Sequence, residues 1–141
     1  VKLFNWFKRN SSPLAPHLEL GARGEKLAAR YLRRQGYKIL VRQFRGKAGE
    51  IDIVARDHDT LVFVEVKTRK SEKFGLPQEA VDLKKQRHIA KVAWEYVRLL
   101  HNQQIKMRFD IVEVIMQDGA RQPDDIRVIQ NAFELPAPYQ Y

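Results

Sequence analysis

Cysteine is absent from the 141 residues. That excludes a disulfide framework and any thiolate metal site, and it suits a reducing, cytoplasmic location, which is the expectation here. No apolar run approaches the roughly 20 residues of a membrane-spanning helix. The start of the chain, 1–16, has an apolar section too short for a secretory signal and no convincing small-residue cleavage site. Histidine is scarce, with four in all. His88 has no clustered His or Cys partner and reads as part of a solvated helix face. Internal repeats and low-complexity tracts are missing as well. Acids are outnumbered, 17 against 26 Lys and Arg, which leaves a net charge of +9. That excess points to a polyanionic partner, although ribosomal and membrane-surface proteins share it with nucleases.

The most informative stretch runs from Gly49 to Lys67. Two runs rich in Val, Ile and Phe flank Asp57-His58-Asp59-Thr60, which reads as a strand, a tight turn and a second strand. With the turn centred on His58-Asp59, paired residue numbers sum to 117. Asp52 then opposes Glu65, and Glu50 opposes Lys67. Alternation assigns Ile51, Ile53, Val62, Val64 and Val66 to one face. The other face receives Glu50, Asp52, Glu65 and Lys67, with Val54, Leu61 and Phe63 further along.

A solvated hairpin with a Glu50–Lys67 ion pair explains part of this pattern. It does not explain two acids directly opposed, which destabilises a sheet. A hard divalent cation between them does. Two carboxylates, such a metal and a nearby lysine suit attack on a phosphodiester. The carboxylates hold the cation, and the lysine orients the water or balances developing charge. Mg²⁺ or Mn²⁺ is therefore the expected cofactor, held by Asp52 and Glu65. The argument depends on register, because a three-residue loop would move Asp52 to the other face.

Asp52 followed by Glu65-Val66-Lys67 resembles the Asp…Glu-x-Lys signature of the PD-(D/E)xK nuclease superfamily. The fuller set is Gly24-Glu25, Gly49-Glu50-Ile51-Asp52, Val64-Glu65-Val66-Lys67-Thr68-Arg69, and Gln78-Glu79-Ala80-Val81 before Lys84-Lys85. It resembles the YraN-type family of endonuclease-like proteins and, more distantly, archaeal Holliday-junction resolvases. The likeness spans Gly21 to Ile115. Ile51 stands where the superfamily name has proline. The resemblance implies a restriction-endonuclease-like α/β core, a small mixed sheet flanked by helices. It also implies a metal-dependent endonuclease acting on DNA, with branched or junction DNA among the substrates. Asp52, Glu65 and Lys67 would be catalytic, with Glu50 and Glu25 as auxiliary acids and Gln78 near the site. Two-fold symmetric junction cutting would need a homodimer. The competing readings are a non-catalytic nucleic-acid-binding module and a basic protein or membrane adaptor that uses Leu3, Phe4, Trp6 and Phe7.

The remaining elements follow from periodicity. Gly21 to Gln35 is helical, with Gly24, Leu27, Ala28, Tyr31 and Leu32 on one stripe and Lys26, Arg30, Arg33 and Arg34 opposite, and it stops at Gly36. Arg23 to Lys47 carries nine basic residues and one acid, Glu25. That acid either pairs with a neighbouring Arg or reaches the metal site. Tyr37 to Phe44 is a first strand, and Arg45-Gly46-Lys47-Ala48-Gly49 a basic loop. A long helix runs from Pro77 to about Gln103. Its buried side is Gln86, Ile89, Ala90, Ala93, Val97 and Leu100, and its basic side is Lys84, Arg87, His88, Lys91 and Arg98. Arg108 to Gln117 is a strand in which Asp110 either has a structural role or is an acid supporting the site from behind, and Ile126 to Phe133 is an edge strand. The order αβββαβ gives a single domain over 21–133, with a tail or linker over 1–20 and a tail over 134–141. Phosphate contacts are expected from Arg30, Arg33, Arg45, Lys47, Arg69, Lys84, Arg87 and Lys91.

Overall fold

The computed structural model describes residues 16–70, 81–101 and 104–134, with side chains from Leu20 onward in the first helix. Gln78, Pro77 and the aromatic residues at the start of the chain lie outside the described residues. Helix α1 spans Pro16–Arg34 and so starts five residues before the periodicity suggests. It ends at Gly36 (φ +94°), where Tyr37 N–H reaches the Leu32 carbonyl and Gly36 N–H the Arg33 carbonyl. That pair of bonds is the Schellman closure, which satisfies carbonyls the helix end would otherwise orphan.

Three antiparallel strands follow: β1 Lys38–Gly46, β2 Gly49–Asp57 and β3 Thr60–Arg69. Helix α2, Leu83–Leu99, crosses over to β4, Lys106–Ile115, which pairs with β3 in parallel. A helical crossover is the normal way to join two parallel neighbours. Strand β5, Asp125–Ile129, closes the sheet in the order β1-β2-β3-β4-β5. Strands β3 and β4 are covered on both faces, which explains their near-continuous apolar runs. Asp82 caps α2 by accepting from Lys85 N–H at 2.8 Å.

Each helix covers one face of the sheet. On the α1 side, Ala28, Ala29 and Leu32 pack with Ile53, Ala55, Val62, Val64, Val112 and Val114. On the α2 side, Ile89, Val92, Ala93, Tyr96 and Val97 pack with Val54, Leu61, Phe63, Phe109 and Ile111. Phe63 is the hub there, edge-on to Tyr96 and stacked on Phe109. Leu100, expected in the buried stripe, is largely exposed because α2 ends at Leu99. Asp110, fully buried, accepts from Arg108 at 2.9 Å, from Tyr37 Oη at 3.2 Å and from Asn131 N–H at 2.9 Å. Arg108 also reaches Asp57 at 3.0 Å, so Asp110 sits in a polar network that links β2, β4 and the residues flanking β1 and β5.

The hairpin register is as expected, with Asp57↔Thr60 through Ile53↔Val64 all summing to 117. The facing is not. Ile51 joins Val54 on the α2 side, whereas Ile53 faces α1, so alternation breaks at Asp52. A matching irregularity lies across the sheet in β1. Between Arg42↔Ile53 and Phe44↔Ile51, Gln43 takes a left-handed backbone (φ +54°), which few non-glycine residues adopt. Val41 and Phe44, three residues apart, consequently pack on the same side.

Candidate active site

The β2–β3 pairing stops at Ile53↔Val64, while β3 continues beside β4 as far as Arg69↔Ile115 and β2 continues beside β1. The sheet forks there. Asp52 sits in the fork, and its Oδ2 accepts the Val66 N–H at 2.8 Å in place of a backbone partner. The opening is a cavity of about 760 Å³ lined by Glu25, Gln43, Asp52, Glu65, Thr68 and Lys70, among others. Its α1 wall begins at Leu20, Gly21 and Ala22.

Three acids from three elements converge. Glu65 is 7% exposed, and Asp52 shares a hydrogen bond with it. Glu25, also 7% exposed, accepts from Gln43 Nε2 at 3.3 Å and from Arg42 Nη2 at 3.5 Å. Glu25 therefore does pair with a neighbouring arginine, but as a buried acid on the cavity wall. Burial pushes the Asp52 carboxyl up from 3.8 to about 7, helped by the negative charges of Glu65 and Glu25 and opposed by the Val66 N–H. Two lysines approach Glu65 Oε1: Lys67 Nζ at 3.5 Å and Lys85 Nζ at 3.6 Å. Helix α1 comes this close because residue 24 is glycine. A Cβ there would meet Thr68 Oγ1 at 2.0 Å and Thr68 Cβ at 3.1 Å.

Among the described residues, no three His, Cys, Asp or Glu side chains group as a metal cage. The carboxylates that could hold a cation are Asp52 and Glu65, whose mutual repulsion when both are ionised it would relieve. Mg²⁺ habitually keeps several waters and uses one or two carboxylates, so a two-carboxylate site fits it.

The other expected residues are dispersed. Glu50 does not face Lys67, because the ladder has already opened; it pairs with Arg45 at 3.2 Å. Arg45 and Lys47 are exposed on the β1–β2 hairpin. Arg30 and Arg33 lie exposed on α1, and Lys84, Arg87 and Lys91 on α2, so the two basic stripes occupy opposite faces of the sheet. Arg69 is largely buried against Glu113, which is itself 2% exposed, at 3.6 Å. Sequence reasoning missed Gln43, Arg42 and the contact of Lys85. Gln43 carries no pattern signal, because its place depends on a backbone irregularity rather than on spacing. Lys85 was visible as half of a Lys-Lys pair in the first turn of α2.

A model of the uncharacterised protein family UPF0102 matches residues 24–114. A UPF0102 protein of Caldicellulosiruptor saccharolyticus is 49% identical over 115 residues, 82% of this chain and 97% of the relative. One from Caldicellulosiruptor bescii is 51% identical over 117 residues, again covering 82% and 97%. A third, from Geobacter sulfurreducens, is 48% identical over 118 residues, covering 82% and 89%.

Proposed function

The chain belongs to the uncharacterised protein family UPF0102, and on that premise we propose that it is a Mg²⁺- or Mn²⁺-dependent endonuclease hydrolysing phosphodiester bonds in DNA, branched or junction DNA included. The observation that carries this reading is the pair Asp52 and Glu65, held together in a sheet fork with Asp52 pushed up to about 7. Carboxylates shifted by burial and by each other in a cleft cluster at functional sites. Asp52 and Glu65 would hold the cation. When bound, it would polarise the phosphate and make a water more acidic.

The remaining groups have distinct tasks. Lys67, on β3 two residues after Glu65, places its ammonium at the carboxylate edge, where it orients the water or balances charge on the phosphoryl oxygens. Lys85 approaches the same oxygen from α2 and adds positive charge where a phosphate would arrive. Gln43 and Arg42 fix Glu25, which keeps a third carboxylate on the cavity wall. Val66 N–H fixes the Asp52 carboxylate in one orientation.

The test is cleavage of labelled duplex and junction DNA with Mn²⁺ or Mg²⁺, run beside Lys67→Ala. Loss of that ammonium should reduce the rate by on the order of 10²–10³ while DNA binding persists. A second reading, nucleic-acid binding without cleavage, draws on one observation: Lys67 and Lys85 already approach Glu65, and among the described residues no three carboxylates are grouped closely enough to hold a metal. Metal-independent binding with no cleavage of any substrate would select it.

A further inference from the structure

A second groove of about 370 Å³ lies between the β1–β2 turn and α2, lined by Lys47, Ala48, Lys91, Trp94, Glu95 and Arg98. Among the described residues, it shares none with the carboxylate cavity. Lys91, Trp94 and Arg98 follow at i, i+3 and i+7, so they form one stripe of α2 with the indole between two cations. Trp94 is half-buried and packs against the α2-side core, while Lys91, Arg98 and Lys47 are exposed. The opposite wall is built rather than loose. Glu95 accepts the Lys47 N–H with both oxygens, at 2.8 and 3.2 Å, which clamps the turn onto the helix. Its carboxylate is oriented toward the backbone and keeps its negative charge in that wall, against three cations around the indole. The clamp requires glycine at 46, since a Cβ there would meet Glu95 Oε2 at 1.9 Å and Val92 Cγ1 at 3.3 Å.

We propose that this groove binds an unpaired nucleotide of a DNA strand, its base stacked on Trp94 and its flanking phosphates held by Lys47, Lys91 and Arg98. A fixed aromatic face edged by cations is the arrangement that captures single-stranded nucleic acid. A paired base offers no free face to it. The inference rests on the nucleic-acid reading above and sharpens it. Strand β2 leads from the turn at Gly49 to Asp52, about 10 Å at 3.3 Å per residue. A substrate engaged at the carboxylates would then carry a single-stranded flank around the hairpin tip into the groove, which selects DNA with a duplex–single-strand boundary.

Trp6 and Trp94 are the only tryptophans, so the full chain carrying Trp6→Phe reports Trp94 fluorescence alone. The probes are oligothymidylate of about ten nucleotides and a blunt duplex, both in EDTA. Oligothymidylate should quench Trp94. Trp94→Leu, and separately Lys91→Glu with Arg98→Glu, should weaken oligothymidylate binding by roughly tenfold or more, so that preference for it over the duplex falls. Circular dichroism checks folding. The charge-reversed pair is exposed and decides the question if Trp94→Leu unfolds. Unquenched fluorescence with oligothymidylate affinity unchanged in the charge-reversed variant overturns the groove while duplex binding leaves the nuclease reading standing. Absence of wild-type binding to either probe overturns both.

Discussion

Replacing Asp52 by Asn should make the metal-free protein more stable, and more so at high pH. Asn is isosteric, and its Oδ1 can still accept the Val66 N–H that Asp52 accepts at 2.8 Å. Its amide can donate to Glu65 where the native carboxylate repels it. In the fold the Asp52 carboxyl is held at about 7 instead of 3.8, chiefly by burial and then by Glu65 and Glu25, with Lys67 and Lys85 facing the same cluster through Glu65. The folded state therefore keeps a proton that the unfolded chain has lost, and stability falls as pH rises across that interval. Below 3.8 the penalty is absent; above about 7 it is complete. At about 1.4 kcal/mol per pH unit, the ionised cluster costs on the order of 4 kcal/mol, of which on the order of 3 appears between pH 5 and pH 8. Local relaxation will lower this. A gain of about 2 kcal/mol near pH 8 is still roughly 4–8 °C in Tm for a domain of this size. Thermal melts of both proteins in EDTA at pH 5 and pH 8 measure it. An Asn variant that is less stable by the same amount at both pH values would show that Asp52 is a structural acceptor and not part of a repelling pair.

Three further outcomes follow from the packing. Gly24→Ala should cost about 1–3 kcal/mol by overpacking against Thr68, and adding Thr68→Ala should restore most of it in a urea-denaturation cycle. Arg108→Met should cost about 3–5 kcal/mol in the same assay, because it leaves fully buried Asp110 without its cation. Arg30→Ala with Arg33→Ala, compared with Lys84→Ala with Arg87→Ala, should change the salt dependence of duplex binding unequally, since the pairs lie on opposite faces of the sheet. Each lost phosphate contact lowers the slope by about 0.9, and equal losses in both variants would contradict docking on one face.

The hairpin was legible because its turn chemistry and period-two pattern agree, and a two-residue turn fixes register through Ile53↔Val64. The helices were legible for the same reason, their apolar stripes being long and regular. What the pattern could not contain is the fork. Alternation assumes a continuous ladder, and the ladder ends one residue short of Asp52, opposite a left-handed Gln43. Hence Asp52 and Glu65 do come together, but across the fork and not as the opposed ladder pair expected, while Ile51 was assigned to the wrong face and Glu50 to the wrong partner. Glu25 was noticed as the one acid in a basic segment. Its place on the cavity wall depends on the close approach that Gly24 permits. The basic residues were legible as charge but not as a surface, because which face each helix covers is a tertiary fact.

The most direct test of the central claim is the anomalous-scattering map of crystals soaked in Mn²⁺, wild type beside Asp52→Asn. A peak within coordination distance of both Asp52 and Glu65 in wild type, lost or much weakened in the variant, is the predicted result. At saturating Mn²⁺, a peak that ignores these two carboxylates, or none at all with Lys67 and Lys85 still against Glu65, would contradict the account.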